Sequence, residues 1–484
     1  MNKKSIAKNS IYNMIYSGFR VFFPLVSISY FSRILTAEGI GKIEYAYTVV
    51  NYFLIIAALG IPAYGVKNIA RAGNNFTKRS RVFWEMFYLH CFYTLLCALI
   101  YYIFITVNEH FAGRRILFYV MGSLLIFNIA NIDWYYQGVE DYAYITKRSI
   151  SIKIFSFILM VIFVKNYNDY LIYAVILCLA SVGNYIFNMF YLRKQIKFLS
   201  LKECHISRHI KANFILLGSV LATEIYTMLD SVILEYFHGE IYVGYYSNSV
   251  KIVRMVYTLS TAMVAAFYPR ISLYIKENKF EEITELISKG SEILIIFAFP
   301  AAIGLFLTAD TIIPVLLGNS FMPSILCLKL LSILVIVISF AAALGHIVLI
   351  ASGNEGRVLL ATICGAVINA ALNFLLIPAY KHYGAAFASV IAEIIVTFVL
   401  LKKSMKIINV HVEKSFILSV LISLIIMICS IKFIDFLEIS LLLRLILYIS
   451  VGMITYFSSL MLLKNQAMLY FYSRVCSQKQ TTQK

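Results

Sequence analysis

Five polar residues between positions 243 and 268 recur at helical spacing: Ser247, Lys251, Arg254, Thr258 and Thr261 stand at i, i+4, i+7, i+11 and i+14. On a helix this spacing makes one stripe. Two permanent positive charges interleaved with hydroxyls suit a phosphate or a carboxylate. The run around them is apolar, and a charge at the centre of a membrane-spanning helix costs roughly 2.5–3.5 kcal/mol, so these side chains are expected to line a cavity rather than face lipid. Lys329, Ser332, Ser339 and His346 repeat the pattern further on, and Asn13, Tyr16, Arg20, Pro24 and Ser27 do so near the N-terminus. Neutral stripes accompany them: Asn128, Asn131 and Tyr135; Thr362, Asn369 and Asn373; Ser389, Glu393 and Thr397. The reading is a cationic cavity built by Arg20, Lys251, Arg254 and Lys329, with Asn13, Ser247, Thr258, Asn369 and Asn373 as polar lining.

Each stripe also has a plainer explanation. Ser, Thr and Asn in packed helices commonly hydrogen-bond to a neighbouring helix, and a Lys or Arg can snorkel to an interface or pair with an acid. The acids inside apolar runs are Glu85, Asp133, Glu224, Asp230 and Glu393. Glu224 and Asp230 lie about 120° apart on a helix and are not one site. Glu224, Asp230 and Glu393 either pair with the cations or carry a coupling proton or sodium ion, whereas Glu85 and Asp133 fall near helix ends and are expected at an interface. His346 is a lone histidine, better explained by packing than by metal ligation. Gly39-Ile-Gly41-Lys42 lacks the spacing of a phosphate-binding loop, and neither GxGxxG after a strand nor HExxH occurs, so no cofactor or metal is implied.

The elements that must position these residues follow from composition. Of 484 residues 61% are hydrophobic and 14% charged, against roughly 25% charged in soluble domains. Apolar runs of about 20 residues signal spanning helices, since in lipid the backbone must satisfy its own hydrogen bonds. Fourteen such runs can be read, near 10–32, 43–64, 82–107, 116–138, 149–165, 169–192, 212–236, 243–268, 289–308, 323–349, 357–378, 383–401, 415–434 and 440–463. The fold class is therefore all-α integral membrane, with about fourteen transmembrane helices. The eight cysteines form no CxxC pair and read as small buried hydrophobes. The first run is long enough to span and shows no small-residue cleavage site, so it reads as a retained helix.

The formal net charge of +18 does not point to nucleic acid, because the basic residues lie in short segments between apolar runs instead of on one face. With the N-terminus inside, 29 of the 42 basic residues fall in cytoplasmic segments, 8 in outward segments and 5 within spans. The positive-inside rule then puts both termini in the cytoplasm. Outward connections are short and leave no room for an extracytoplasmic catalytic domain. The segment 269–288 alternates Phe280, Ile283, Leu286 and Ile287 with Lys276, Glu281, Glu282 and Glu285, as an interfacial helix would.

A weak internal echo divides the chain. Asn9 precedes Gly41 as Asn213 precedes Gly244, each glycine opens a Tyr-rich helix, and Pro62 and Pro269 follow near the far ends. Two six-helix lobes related by pseudo-two-fold symmetry are expected, at 1–192 and 212–401. A cytoplasmic linker, 193–211, joins them, and 402–484 holds two appended helices and a tail. Parallel repeats of this kind build transporters with the substrate path between lobes.

Four segments carry a family likeness: Asn9-Ser-Ile-Tyr12, Tyr30-Phe-Ser-Arg33-Ile-Leu-Thr-Ala-Glu38-Gly-Ile-Gly41, Leu59-Gly-Ile-Pro62-Ala-Tyr-Gly65, and above all Asp133-Trp-Tyr-Tyr-Gln137-Gly-Val-Glu140-Asp141-Tyr-Ala-Tyr-Ile145. They resemble the polysaccharide transporter family, the Wzx-type flippases of O-antigen and capsule repeat units, in the superfamily that also holds the MATE exporters and the lipid II flippase. The resemblance implies a multi-pass protein of the bacterial inner membrane, not an enzyme. Its implied cargo is an oligosaccharide on undecaprenyl diphosphate, moved to the outer leaflet by alternating access with ion antiport. It further implies membrane lipid, a polysaccharide polymerase and a chain-length regulator as partners. The rival readings are a MATE-type cation exporter, which would want an acidic first lobe where Arg20 stands, the lipid II flippase, and a membrane polymerase, which the short outward loops disfavour.

Overall fold

A computed structural model describes residues 3–193, 195–265, 268–277, 279–406 and 413–469; within its helices the side chains at 3–11, 13–14, 20–21, 216, 219–223, 225–227, 262–265, 268–269, 272, 276, 280, 344 and 346 are not described. The described residues contain helices and no strand. Nine helical stretches among them are long and apolar enough to cross a membrane. The spans expected from the sequence fall mostly on helix, with breaks at Leu59–Gly60, Asn131–Ile132 and Ser332–Ile333. The chain forms two compact units, Met1–Gly244 and Tyr245–Lys484.

In the first unit α1 (Lys3–Ala58) covers two expected spans, bent at Thr36 with φ 62° and ψ 177°. A short helix, α2 (Ile61–Ala72), follows a left-handed Gly60 and has a proline in its first turn, where a missing N–H costs nothing. Next come α3 (Phe76–Val107), α4 (Arg115–Phe127), α5 (Asp133–Gly138), α6 (Tyr142–Phe163), α7 (Tyr170–Leu192) and α8 (Ser207–His238). Asn75 and Asp141 cap α3 and α6 by accepting backbone N–H groups. A turn at Gly239, φ 86° and ψ 177°, opens α9 (Glu240–Ala265), whose first residues belong to this unit.

Thr36 and Gly239 thus share one backbone conformation, and each is followed five residues later by a glycine of the sequence echo. Those two glycines meet. A Cβ on Gly41 would collide with the carbonyl of Glu240, and one on Gly244 with the carbonyl of Ala37. The contacts are reciprocal, since Ala37 stands four residues before Gly41 and Glu240 four before Gly244, as in a small-residue helix crossing.

The second unit holds the rest of α9, then α10 (Tyr268–Lys276), α11 (Phe280–Leu316), α12 (Ser324–Leu331), α13 (Leu334–Phe340), α14 (Val348–Ala351), α15 (Glu355–Ser404), α16 (Lys414–Ile434) and α17 (Leu441–Leu462). Helix α15 covers two expected spans and bends at Lys381, φ 55°. The expected continuous span over 323–349 is instead α12 to α14, with a π-helical stretch at Ala341–Ile347. Nor is the amphipathic stretch 269–288 one interfacial helix: α10 takes its first part and the opening turns of α11 the rest. Ile283 and Ile287 there pack with Ile271 and Leu294, burial that favours continuing the helix. Helices α16 and α17 form an antiparallel hairpin with a core of Val420, Leu424, Met427, Tyr448 and Tyr456.

The boundary at Gly244 differs from the linker expected at 193–211, because α8 packs along α1 and α2 in the first unit. The seven described cysteines are free thiols.

Candidate functional site

On α9 the stripe lies on the less buried face of the helix. Ser247, Lys251, Thr258 and Thr261 are half-buried and Arg254 is exposed, while Ser249, Ile252, Val253 and Ser260 on the opposite face are buried. The Thr258 hydroxyl donates to the Arg254 carbonyl at 2.6 Å, and that of Thr261 to the Thr258 carbonyl at 3.1 Å. Two hydroxyls are therefore tied back to their own helix, and Arg254 is the stripe's exposed charge.

The other expected residues are distributed differently. Lys329 lies 2.6 Å from the Asp310 carboxylate, so a neighbouring helix compensates its charge. Asn369 and Asn373 are buried in a packed network: Asn373 donates to Asn369 at 3.0 Å, Asn369 to Ser389 at 3.5 Å, and Ser389 meets the Tyr246 hydroxyl at 2.9 Å. That is interhelical bonding in place of the expected lining. Asp230 is buried, while Glu224 and Glu393 are half-buried. The side chains of Asn13, Arg20 and His346 lie outside the described residues.

Three ionic clusters in the first unit were not legible in the sequence. Arg114, just before α4, donates to Glu235 near the end of α8 at 2.7 Å and also pairs with Glu240; His110 lies 2.9 Å from Glu235. Glu85, expected at an interface, is fully buried: it accepts from the His205 backbone N–H at 3.0 Å and is paired with Arg208 and with His209, whose other ring nitrogen meets the Tyr64 hydroxyl at 3.0 Å. Arg148, expected in a loop, is buried within α6, 2.9 Å from Asp133 and 3.0 Å from the side-chain Oδ1 of Asn184, while Asn188 donates to Asp133 at 2.7 Å. The only signal for these pairs was opposite charge near ends of different spans.

The motif beginning at Asp133 turns out to be a packing device. The Trp134 ring stacks on Phe83 at 5.5 Å and fills the space over Gly65, where a Cβ would come within 2.5 Å of it. Tyr136 donates to the Asn188 carbonyl at 2.6 Å and Tyr135 to that of Gln195 at 3.3 Å. Together with α3, the motif holds the extended segment after α7. Trp84 donates to the Lys197 carbonyl at 2.9 Å, Tyr88 to that of Leu199 at 2.8 Å, and the Lys197 N–H to Ser80 at 3.0 Å. Alternate carbonyls of the segment are thus satisfied by side chains of α3.

Long apolar helices and bent pairs read as two spans each define a multi-pass membrane protein. Residues 6–275 match the family model described as polysaccharide biosynthesis protein. Another model, lipid II flippase MurJ, matches residues 146–447. The chain belongs to the polysaccharide biosynthesis protein family, as its sequence motifs led us to expect. A protein of Escherichia coli (strain K12), provisionally named an O-antigen transporter, is 23% identical over 406 residues, covering 83% of this chain and 97% of that one. Among solved structures, lipid II flippase MurJ in an inward closed conformation is similar with a TM-score of 0.70 at 15% identity, over 92% of this chain and 98% of its own. An inward-facing multidrug resistance MATE family transporter gives 0.64 at 15% identity, over 82% and 94%. These structural likenesses establish the all-α membrane fold.

Proposed function

We propose that this protein is a flippase that carries an undecaprenyl-diphosphate-linked oligosaccharide from the cytoplasmic to the outer leaflet of a bacterial inner membrane, for O-antigen or capsule synthesis, with both termini in the cytoplasm. The observation that carries the reading is the α9 stripe. Lys251 and Arg254 stand about 17 and 21 Å from the start of a helix some 39 Å long by its 26 residues, on the less buried face of that helix. Arg254 is exposed there; lipid cannot solvate a guanidinium at that depth, and a wet path that takes a diphosphate can. Family membership supports the same substrate class, as does the name of the Escherichia coli relative.

The passenger enters a positively walled path from one side, and alternating access releases it on the other. A proton or sodium ion drives the cycle, with Glu224, Asp230 and Glu393 as candidate carriers. Arg20 completes the cationic set; Lys329, held by Asp310, is dropped from it.

The experiment is gene deletion with complementation. Deletion should abolish polymerised surface glycan and accumulate lipid-linked repeat units inside the cell. Lys251→Gln with Arg254→Gln should fail to complement at normal protein level. Normal glycan in a deletion strain lacking a paralogue would defeat the reading. The match of residues 146–447 to the lipid II flippase model favours one second reading, a peptidoglycan precursor as cargo. Lysis on depletion, with surface glycan intact, would select it.

A further inference from the structure

The segment 195–205 forms a strap along α3, and side-chain bonds to its backbone fix its path. Arg79 donates to the Gln195 carbonyl at 3.4 Å, and Ser80 accepts the Lys197 N–H at 3.0 Å. The bonds from Trp84 to Lys197 and from Tyr88 to Leu199 follow. Partners on α3 thus advance from residue 79 to residue 88, about 14 Å of helix, while the strap advances from 195 to 199. A capping box of Ser200 and Glu203 then closes a 3-10 turn, and the His205 N–H returns to Glu85.

With its backbone turned to α3, the strap presents a mixed outer face. Phe198 is 67% exposed and Leu201 56% exposed, and both are flanked by exposed lysines, Lys197 and Lys202. Phe198 packs edge-on against Trp84 at 4.9 Å. The neighbouring acids are committed: Glu203 accepts the Ser200 N–H at 2.8 Å, and Glu85 is paired with Arg208 and His209. Lys78 and Arg81, at the start of α3, are exposed as well.

The depth of this face says what covers it. Helix α3 is long and apolar enough to cross a membrane, and its apolar run begins near residue 82. Trp84 and Tyr88 therefore stand about 3 and 9 Å inside that run, where aromatic residues mark the membrane–water interface. Apolar tips at this level meet acyl chains, and lysines beside them extend their ammonium groups to the head groups. A leaflet that carries anionic lipid attracts such lysines.

We propose that the strap is a lipid-binding element. Phe198 and Leu201 enter the acyl boundary of the adjoining leaflet, the cytoplasmic one in the orientation proposed above. Lys197 and Lys202 hold the phosphate of an anionic glycerophospholipid. This concerns the surrounding leaflet and not the cargo, so its failure would leave the flippase reading standing.

The chain has two tryptophans, Trp84 beside Phe198 and the buried Trp134, so quenching from the lipid phase reports on the strap. Full-length protein is reconstituted in vesicles where acyl-brominated phosphatidylglycerol competes with plain phosphatidylcholine, and the reverse. In the wild type phosphatidylglycerol should win the site at Trp84 by at least about fivefold, the share of one lysine at a charged surface. The advantage should shrink in about 1 M salt, where charges act over only about 3 Å. Trp84→Phe, which leaves only Trp134, fixes the unquenched baseline. Lys197→Gln with Lys202→Gln should bring the ratio to about one with melting unchanged. Phe198→Trp should add emission that bromines quench and aqueous iodide does not. Equal quenching by the two lipids in the wild type, or a preference kept without the two lysines, would overturn the inference. So would added emission that only iodide reaches, the mark of a face free for a soluble protein. Undecaprenyl diphosphate at the same mole fraction should gain nothing over phosphatidylglycerol; its selective capture would assign the strap to the cargo and equally overturn the inference.

Discussion

Removing the Arg114 guanidinium should strand a buried carboxylate. Glu235 has a side chain only 3% exposed, Glu240 one 12% exposed, and Arg114 bridges both from a side chain 23% exposed. Breaking a buried pair by deleting one partner costs about 3–5 kcal/mol; Glu235 keeps His110 beside it but loses the permanent charge of the guanidinium. For 484 residues an unfolding entropy near 1 kcal/mol/K is expected from the scaling of globular proteins, so Arg114→Ala should lower the melting temperature in detergent by about 3–5 °C. Lys432→Ala serves as the internal control: its pair with Asp435 is 3.2 Å long between side chains 59% and 40% exposed, and an exposed pair contributes about 0–1 kcal/mol. The double variant Arg114→Leu with Glu235→Leu should lose less than the sum of its single changes, since it removes the stranded charge along with its partner. The assay is a thermal shift followed by size-exclusion chromatography of the solubilised protein. The reasoning is refuted if Arg114→Ala melts with Lys432→Ala, or if the double variant loses the full sum.

Two further outcomes follow from the packing of the first unit. Gly65→Val should abolish the yield of monodisperse protein, because its Cβ alone would sit within 2.5 Å of the Trp134 ring, whereas Gly113→Ala, with nothing within 4 Å, should leave the yield unchanged. Trp84→Phe combined with Tyr88→Phe removes the donors to the Lys197 and Leu199 carbonyls, and limited trypsin digestion should then cut after Lys197 or Lys202 several times faster than in wild type.

Helix positions were legible because run length and hydropathy alone set them. Bends were less so. Gly239 advertises its left-handed turn, but Thr36 adopts the equivalent φ with a β-branched side chain, which no local preference would suggest. The helix α6 begins at Tyr142 behind its Asp141 cap, seven residues ahead of the apolar run, and that turned Arg148 from an apparent loop residue into a buried one. The α9 stripe could be read from spacing because all its members share one helix. The pairs Arg114–Glu235, Glu85–His209 and Arg148–Asp133 could not, because they depend on which helices become neighbours. The segment from Asp133 identified the family without revealing its task; that Trp134 covers Gly65 becomes visible only once α2 and α5 pack together.

The central claim, that interior positive charges carry a diphosphate across the membrane, meets its most direct test in reconstituted vesicles. Undecaprenyl diphosphate bearing a fluorescent oligosaccharide is placed in both leaflets, and membrane-impermeant dithionite reports how fast the inner-leaflet pool becomes accessible. Wild-type protein should bleach nearly all of the label, and Lys251→Gln with Arg254→Gln should slow the second phase at least about tenfold, the loss of one charge-assisted contact or more, while Lys432→Gln leaves it unchanged. A double variant as fast as wild type, or a wild type no faster than protein-free vesicles, would contradict the account.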